Sequence, residues 1–133
     1  YDNWIHIYNP KTRRKVGSFY AESPAFDIDF GDDGFLYLGA YRRNAIYIYN
    51  PKTYKKIASI PTSDRSWAIA TSFDGKIYVS NLSGRVDIYD SKTYKKIGGF
   101  RSGRVVAIDV DPSGLIYTGS DGGGKIQIFD PNT

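Results

Sequence analysis

Arginine is the residue type in this chain best suited to recognising another molecule, and its placement is uneven. Of eight arginines, six (Arg42, Arg43, Arg65, Arg85, Arg101 and Arg104) fall in or beside connecting segments rather than inside alternating apolar runs. A guanidinium presents a planar fork of donors that matches carboxylate, sulfate or phosphate two bonds at a time. Aromatic and arginine side chains stand side by side in the sequence at one place, Tyr41-Arg42-Arg43. The chemistry these residues point to is anion recognition, with rings available for stacking. Glu22, Asp64 and Asp121 lie in the same connections and are the acids expected to compete for those arginines.

Other chemistries find less support. There are no cysteines, which excludes disulfides, thiol nucleophiles and thiolate metal sites. The one histidine, His6, occupies a place filled by Tyr47, Asp87 and Gln127 in the other repeats. That variability marks a solvent-facing position, and one histidine makes neither a multi-His metal site nor the base of a Ser–His–Asp triad. Carboxylates gather at Asp27, Asp29, Asp32 and Asp33, and again at Asp109 and Asp111. Two readings apply: Asp27 and Asp29 lining a channel that holds an ion or water, or strand-end and turn aspartates accepting backbone amides. No Glu stands at the twelfth position of a loop, so an EF-hand-like site is excluded. Gly122-Gly123-Gly124 lacks the Gly-Lys-Ser/Thr ending of a phosphate loop and is read as a flexible turn. We expect no catalytic residue, no metal and no cofactor.

The elements that must position the arginines come from a repeat. The octet Ile46–Thr53 (IYIYNPKT) recurs as Ile5–Thr12, Val86–Thr93 and Ile126–Thr133, with its aromatic member at Tyr8, Tyr49, Tyr89 and Phe129. A fixed period near 40 residues marks a repeat architecture, and apolar alternation within the octet marks a strand. A charged strand follows each of the first three octets, at Arg13–Phe19, Tyr54–Ile60 and Tyr94–Phe100. Strands rich in small apolar residues, Ala25–Phe30, Trp67–Ser72 and Val106–Val110, lead into turns closed by Gly34, Gly75 and Gly114, and Phe35–Gly39, Lys76–Ser80 and Leu115–Gly119 come next. We label these strands A (inner), B (second), C (octet) and D (charged). The chain then reads C-D, A-B-C-D, A-B-C-D, A-B-C, with pieces near 1–20, 25–60, 67–100 and 106–133. Four short strands per repeat joined by tight turns describe the blades of an all-β propeller. Strand direction alternates, so D–A and B–C connections share one end of a blade. All six arginines map to that end, while most lysines occupy strand D and the Pro-Lys-Thr turns.

The segment Gly75–Asn81 (GKIYVSN), followed by Gly84–Thr93 and Tyr94–Phe100, resembles the YVTN-type repeats of surface-layer-like propellers. The first and third copies carry LGA and TGS where the middle copy has VSN. NHL and WD40 repeats are neighbouring families, although no Gly-His or Trp-Asp pair appears at WD40 positions. The resemblance implies a scaffold family, often extracellular, with ligands bound at the D–A/B–C end and no catalytic residues to carry over.

Composition agrees with one soluble domain: 41% apolar and 24% charged residues over 133 positions, with apolar runs too short for a membrane-spanning helix. A net charge of +4 is modest and no nucleic-acid motif is present, so nucleic acid is a poor fit. The absence of methionine, with a beginning inside a repeat, leads us to expect a trimmed or excised piece. Three and a quarter blades do not close a ring. We expect further blades, either from a second copy in a dimer or from a longer chain; the surplus fourth octet favours the latter. The repeated tyrosines are read as inter-blade packing, whereas Tyr20, Tyr41 and Trp67 stand out as unrepeated. The leading reading is a non-catalytic, cell-surface or secreted recognition module that binds an acidic protein or glycan through Arg42, Arg43, Arg65, Arg85, Arg101, Arg104, Tyr41 and Trp67. Two alternatives are an enzymatic propeller (lyase, lactonase or dehydrogenase) with its catalytic groups on other blades, and a structural unit of a surface assembly.

Overall fold

The computed structural model of the chain describes residues 2–133. Among the described residues the secondary structure is all β apart from one 3-10 turn, with 13 strands in four antiparallel sheets. The first sheet pairs β1 (Trp4–Tyr8) with β2 (Lys15–Tyr20). The second runs β3 (Ala25–Phe30), β4 (Leu36–Ala40), β5 (Ala45–Tyr49) and β6 (Lys56–Pro61). The third repeats that order with β7 (Ser66–Thr71), β8 (Lys76–Asn81), β9 (Arg85–Asp90) and β10 (Lys96–Arg101). The fourth contains β11 (Val105–Val110), β12 (Ile116–Ser120) and β13 (Ile126–Phe129). The expected strand order C-D, A-B-C-D, A-B-C-D, A-B-C is what forms.

Local chemistry explains the turns. Gly34, Gly75 and Gly114 sit at φ of 81°, 82° and 93°, a region that costs glycine little, between the A and B strands. The octets end differently. Asn50 Oδ1 accepts the N–H groups of Lys52 and Thr53, and Asn9 and Asp90 do the same in their copies. The chain then passes through a left-handed residue at Arg13, Tyr54 and Tyr94, with φ of 57°, 59° and 59°. Three copies make one turn.

Period-two alternation gives each sheet two faces, and adjacent sheets bury them against each other. Phe19 and Ala21 pack with Leu36, Leu38, Tyr47 and Tyr49 between the first and second sheets. Tyr37, Ile46, Ile48 and Ile60 meet Ile69, Ile77, Val79 and Tyr89 between the second and third. Ala68, Ala70, Tyr78 and Val86 meet Val105, Ile108 and Ile116 between the third and fourth. The inner strands β3, β7 and β11 are neighbours in that order.

Side chains also pin the inner strands together. Asp27 Oδ2 accepts the Ile69 N–H at 3.0 Å, and Asp29 Oδ2 accepts the Thr71 N–H at 2.7 Å and its hydroxyl at 2.8 Å. The channel-ion alternative for these two acids gives way to amide capture between sheets. Burial raises the Asp27 pKa above the usual carboxylate range, while its amide bonds to Ile69 and Ile28 pull the other way.

One expectation fails. The place shared by His6, Tyr47, Asp87 and Gln127 is solvent-facing only in the first and fourth sheets. Tyr47 and Asp87 are buried, because they face the preceding sheet from a strand flanked on both sides, whereas Gln127 faces the third sheet from the edge strand of a three-stranded sheet. Variability there reflects different neighbours rather than exposure.

Candidate ligand site at the D–A/B–C end

The site is assembled by irregularities in otherwise regular strands. Pairing between β3 and β4 shifts register between Ala25 and Ile28, and β7–β8 and β11–β12 shift at Ser66/Ile69 and Val105/Ala107. Phe26, Trp67 and Val106 therefore occupy equivalent bulges, each eight residues before its turn glycine. A bulge re-aims the extra side chain. The third sheet compensates the interrupted ladder: the Ser80 hydroxyl accepts the Ala68 N–H at 3.0 Å and donates to the Val105 carbonyl at 3.0 Å. Gly39 admits the close approach of β7, since a Cβ there would lie 3.0 Å from the buried Ser66 Oγ.

The 3-10 turn Tyr41–Arg43 brings the third ring. It ends on Asn44 in the left-handed region, at φ 48°, which returns the chain into β5. Phe26 and Tyr41 meet edge to face with centroids 4.4 Å apart, and Trp67 lies 5.7 Å from Phe26 and 6.4 Å from Tyr41. Two arginines cap the cluster. The Arg65 guanidinium lies 5.4 Å from the Tyr41 centroid, and that of Arg104 lies 5.4 Å from the Trp67 centroid, both within cation–π range. A guanidinium held over a ring keeps its in-plane N–H edge for an incoming oxyanion. Arg42 borders a cavity of about 160 Å³ formed with Pro24, Phe26 and Tyr41. Arg43 lies beyond, in a shallow depression of about 330 Å³ shared with Asn3 and Glu22.

The structure thus divides the residues singled out from the sequence. Tyr41, Trp67, Arg65, Arg104 and Arg42 come together, and Arg43 borders them. Arg85 and Arg101 are cross-strand partners on β9 and β10, and Arg85 is already engaged. Its Nε lies 3.6 Å from the buried carboxylate of Asp87, which also takes Lys96 Nζ at 2.7 Å, the Ser63 hydroxyl at 2.9 Å and the Asn81 amide at 3.1 Å. That network is internal.

The expected competition from loop acids is mostly missing. Glu22 pairs with Lys56 at 2.6 Å, and Asp64 accepts the Arg65 N–H. Asp121 does reach Arg104, but at 3.6 Å with both side chains more than half exposed, where such a pair contributes little. Among the described residues Arg42, Arg43, Arg65 and Arg101 have no carboxylate within ion-pair distance.

Sequence reasoning missed Phe26, which reads there as an ordinary inner-strand residue, and with it the fact that Trp67 has an aromatic counterpart. The signal was present in the register, as an aromatic pair at matching distances from Gly34 and Gly75.

The opposite end is chemically different. A cavity of about 460 Å³ lies between the turns of the second and third sheets, bordered by Asp32, Asp33, Asp74 and Lys92. Its acids are largely committed to structure. Tyr37 donates its hydroxyl to Asp33 at 2.6 Å, and burial together with that carboxylate drives the phenol pKa upward. Asp74 accepts the Ser72 hydroxyl and pairs with Lys76 at 2.9 Å. Among the described residues no three potential metal ligands converge. No helix is long and apolar enough to cross a membrane.

No family model and no curated protein matches the chain. Among solved structures it is similar to a chain of Kuenenia stuttgartiensis Hydrazine Synthase, with a TM-score of 0.79 over 96% of its length and 17% sequence identity. The chain spans 40% of that longer chain, and at this identity the likeness is one of fold.

Proposed function

We propose that the chain is a segment of a β-propeller, each sheet a blade, acting as a non-catalytic recognition module for an acidic protein or glycan. The observation that carries the reading is the Phe26–Tyr41–Trp67 cluster with Arg65 and Arg104 held against its rings and Arg42 at its edge. Rings offer flat apolar surface to a sugar or side-chain body, and the guanidinium edges offer paired donors to its carboxylate or sulfate. The YVTN-type repeat resemblance and the extracellular or cell-surface location belong to the same proposal and rest on the motif Gly75–Asn81.

Binding of polygalacturonate and dextran sulfate to the purified chain tests it, with neutral dextran as control. The double substitution Arg65→Glu, Arg104→Glu should weaken polyanion binding by about tenfold or more, since it reverses two charges at the contact. Binding that survives unchanged counts against this site.

A further inference from the structure

The sheets stack in one direction, and each presents one face forward and another back. The second sheet turns Tyr37, Ile46 and Ile48 toward the third. The repeat register puts Tyr117, Ile126 and Ile128 at those places in the fourth sheet. Tyr117 pairs directly with Ile128, and Gly119 with Ile126, so these residues share one face. The burial differs completely. Ile46 and Ile48 are each 0% exposed, while Ile126 and Ile128 are 75% and 58% exposed. Asp109, the counterpart of Asp29, shows the same vacancy. Asp29 reaches Thr71 across the gap between sheets, whereas among the described residues Asp109 accepts only the adjacent Val110 N–H.

The first sheet has the complementary surplus. Ile5, Ile7 and Phe19 pack toward the second sheet, which leaves Trp4, Tyr8 and Tyr20 on the outer side. The octet counterparts of Tyr8, namely Tyr49 and Tyr89, are buried against the preceding sheet, yet Tyr8 is 58% exposed. Charge distinguishes the two ends as well. Residues 105–133 carry four aspartates and one lysine, whereas residues 2–20 carry Lys11, Arg13, Arg14 and Lys15 against one aspartate.

We propose that these end faces form an interface between copies of this chain. The outer face of the fourth sheet in one copy packs on the outer face of the first sheet in the next, head to tail. Tyr8 and Trp4 then cover Ile126 and Ile128 much as Tyr89 joins Ile46 and Ile48 in the core between the second and third sheets. An apolar contact flanked by opposite charge favours this orientation over pairing of like ends. Face stacking also leaves no octet strand surplus, because each end sheet keeps its own. A contact between two different surfaces closes into a ring or propagates. The inference does not depend on the ligand-binding reading.

Sedimentation and light scattering of the purified chain across a concentration series test the proposal. The wild-type chain should show a mass of at least twice 14.9 kDa at low salt, and added sodium chloride should weaken the association. Ile128→Glu and Tyr8→Glu each block one end and should sediment as single chains. Mixed together they should recover a two-chain species, since each supplies one intact end. Ile126→Glu and Tyr20→Glu are second variants at the two ends, and far-UV circular dichroism checks that each folds. A wild-type chain that stays at 14.9 kDa throughout overturns the proposal. So does self-association that persists in Tyr8→Glu alone, which would mean that the fourth sheet pairs with itself. None of these residues touches the ring cluster, so assembly and ligand binding are read separately.

Discussion

The forward faces of the second and fourth sheets carry the same residues in the same register, yet one is core and the other surface. Tyr37, Ile46 and Ile48 lie under the third sheet, while Tyr117, Ile126 and Ile128 lie under nothing in a single chain. Asp29 crosses to Thr71, while Asp109 turns back on its own strand. The difference teaches that apolar alternation specifies a face ready for burial, and a neighbour decides whether burial happens. Conversely, what repeats without reference to a neighbour, such as the octet turn, is local structure.

The largest expected contrast is in packing. Ile48→Ala should cost about 3 kcal/mol, because a buried isoleucine leaves a cavity. In chain held monomeric by dilution, Ile128→Ala should stay within about 0.5 kcal/mol. Urea denaturation measures both, and equal costs would break the comparison. Next come the acids. Asp29→Ala strands the Thr71 amide between sheets and should cost about 2 kcal/mol, whereas Asp109→Ala should fall within about 0.5 kcal/mol. The bulge residues extend the contrast to binding. Trp67→Ala removes the ring beneath Arg104 and should weaken dextran sulfate binding by about 1 kcal/mol. Val106→Ala, at the equivalent bulge, should leave it unchanged; matching losses would show that the rings are not special. The turns should show no contrast at all. Asn9→Ala and Asn50→Ala each remove an acceptor of two amides and should cost about 1 kcal/mol in either sheet.

The smallest effect is in pH. Amide bonds from Thr93 and Lys92 hold the Asp90 carboxyl below its usual range, and the Ser113 hydroxyl does the same for Asp111. A depressed carboxyl stabilises the fold above its unfolded pKa, and that support is lost as pH falls through the folded value. Asp27, raised by burial, works in the opposite sense: acid neutralises it and relieves the buried charge. Asp27→Asn should therefore make the acid loss of stability steeper, measured as melting temperature against falling pH. An unchanged slope would remove Asp27 from the account.

Much of this was legible from residue order. Every strand fell close to its expected span, and the copies of Asn-Pro-Lys-Thr form one turn because its hydrogen bonds span only a few residues. The site was half legible. Arg42, Arg65, Arg104 and Tyr41 were identifiable as loop residues and Trp67 as a strand residue that breaks the repeat, and they do meet. Phe26 was missed, because a bulge is invisible to a period-two pattern and only its register match to Trp67 marks it. Arg85 misled for a related reason: its partner Asp87 was read as exposed, and only the sheet packed over it makes that carboxylate an internal anchor.

By itself, the sequence determined the strands, their order, their turns and the two faces of each sheet, since these follow from contacts between residues near in the chain and from the alternation of the backbone. Only the tertiary structure decided which faces are covered, which acids bridge sheets and which rings touch. Those outcomes depend on groups some 40 residues apart, and their energies arise only when a neighbouring sheet excludes water.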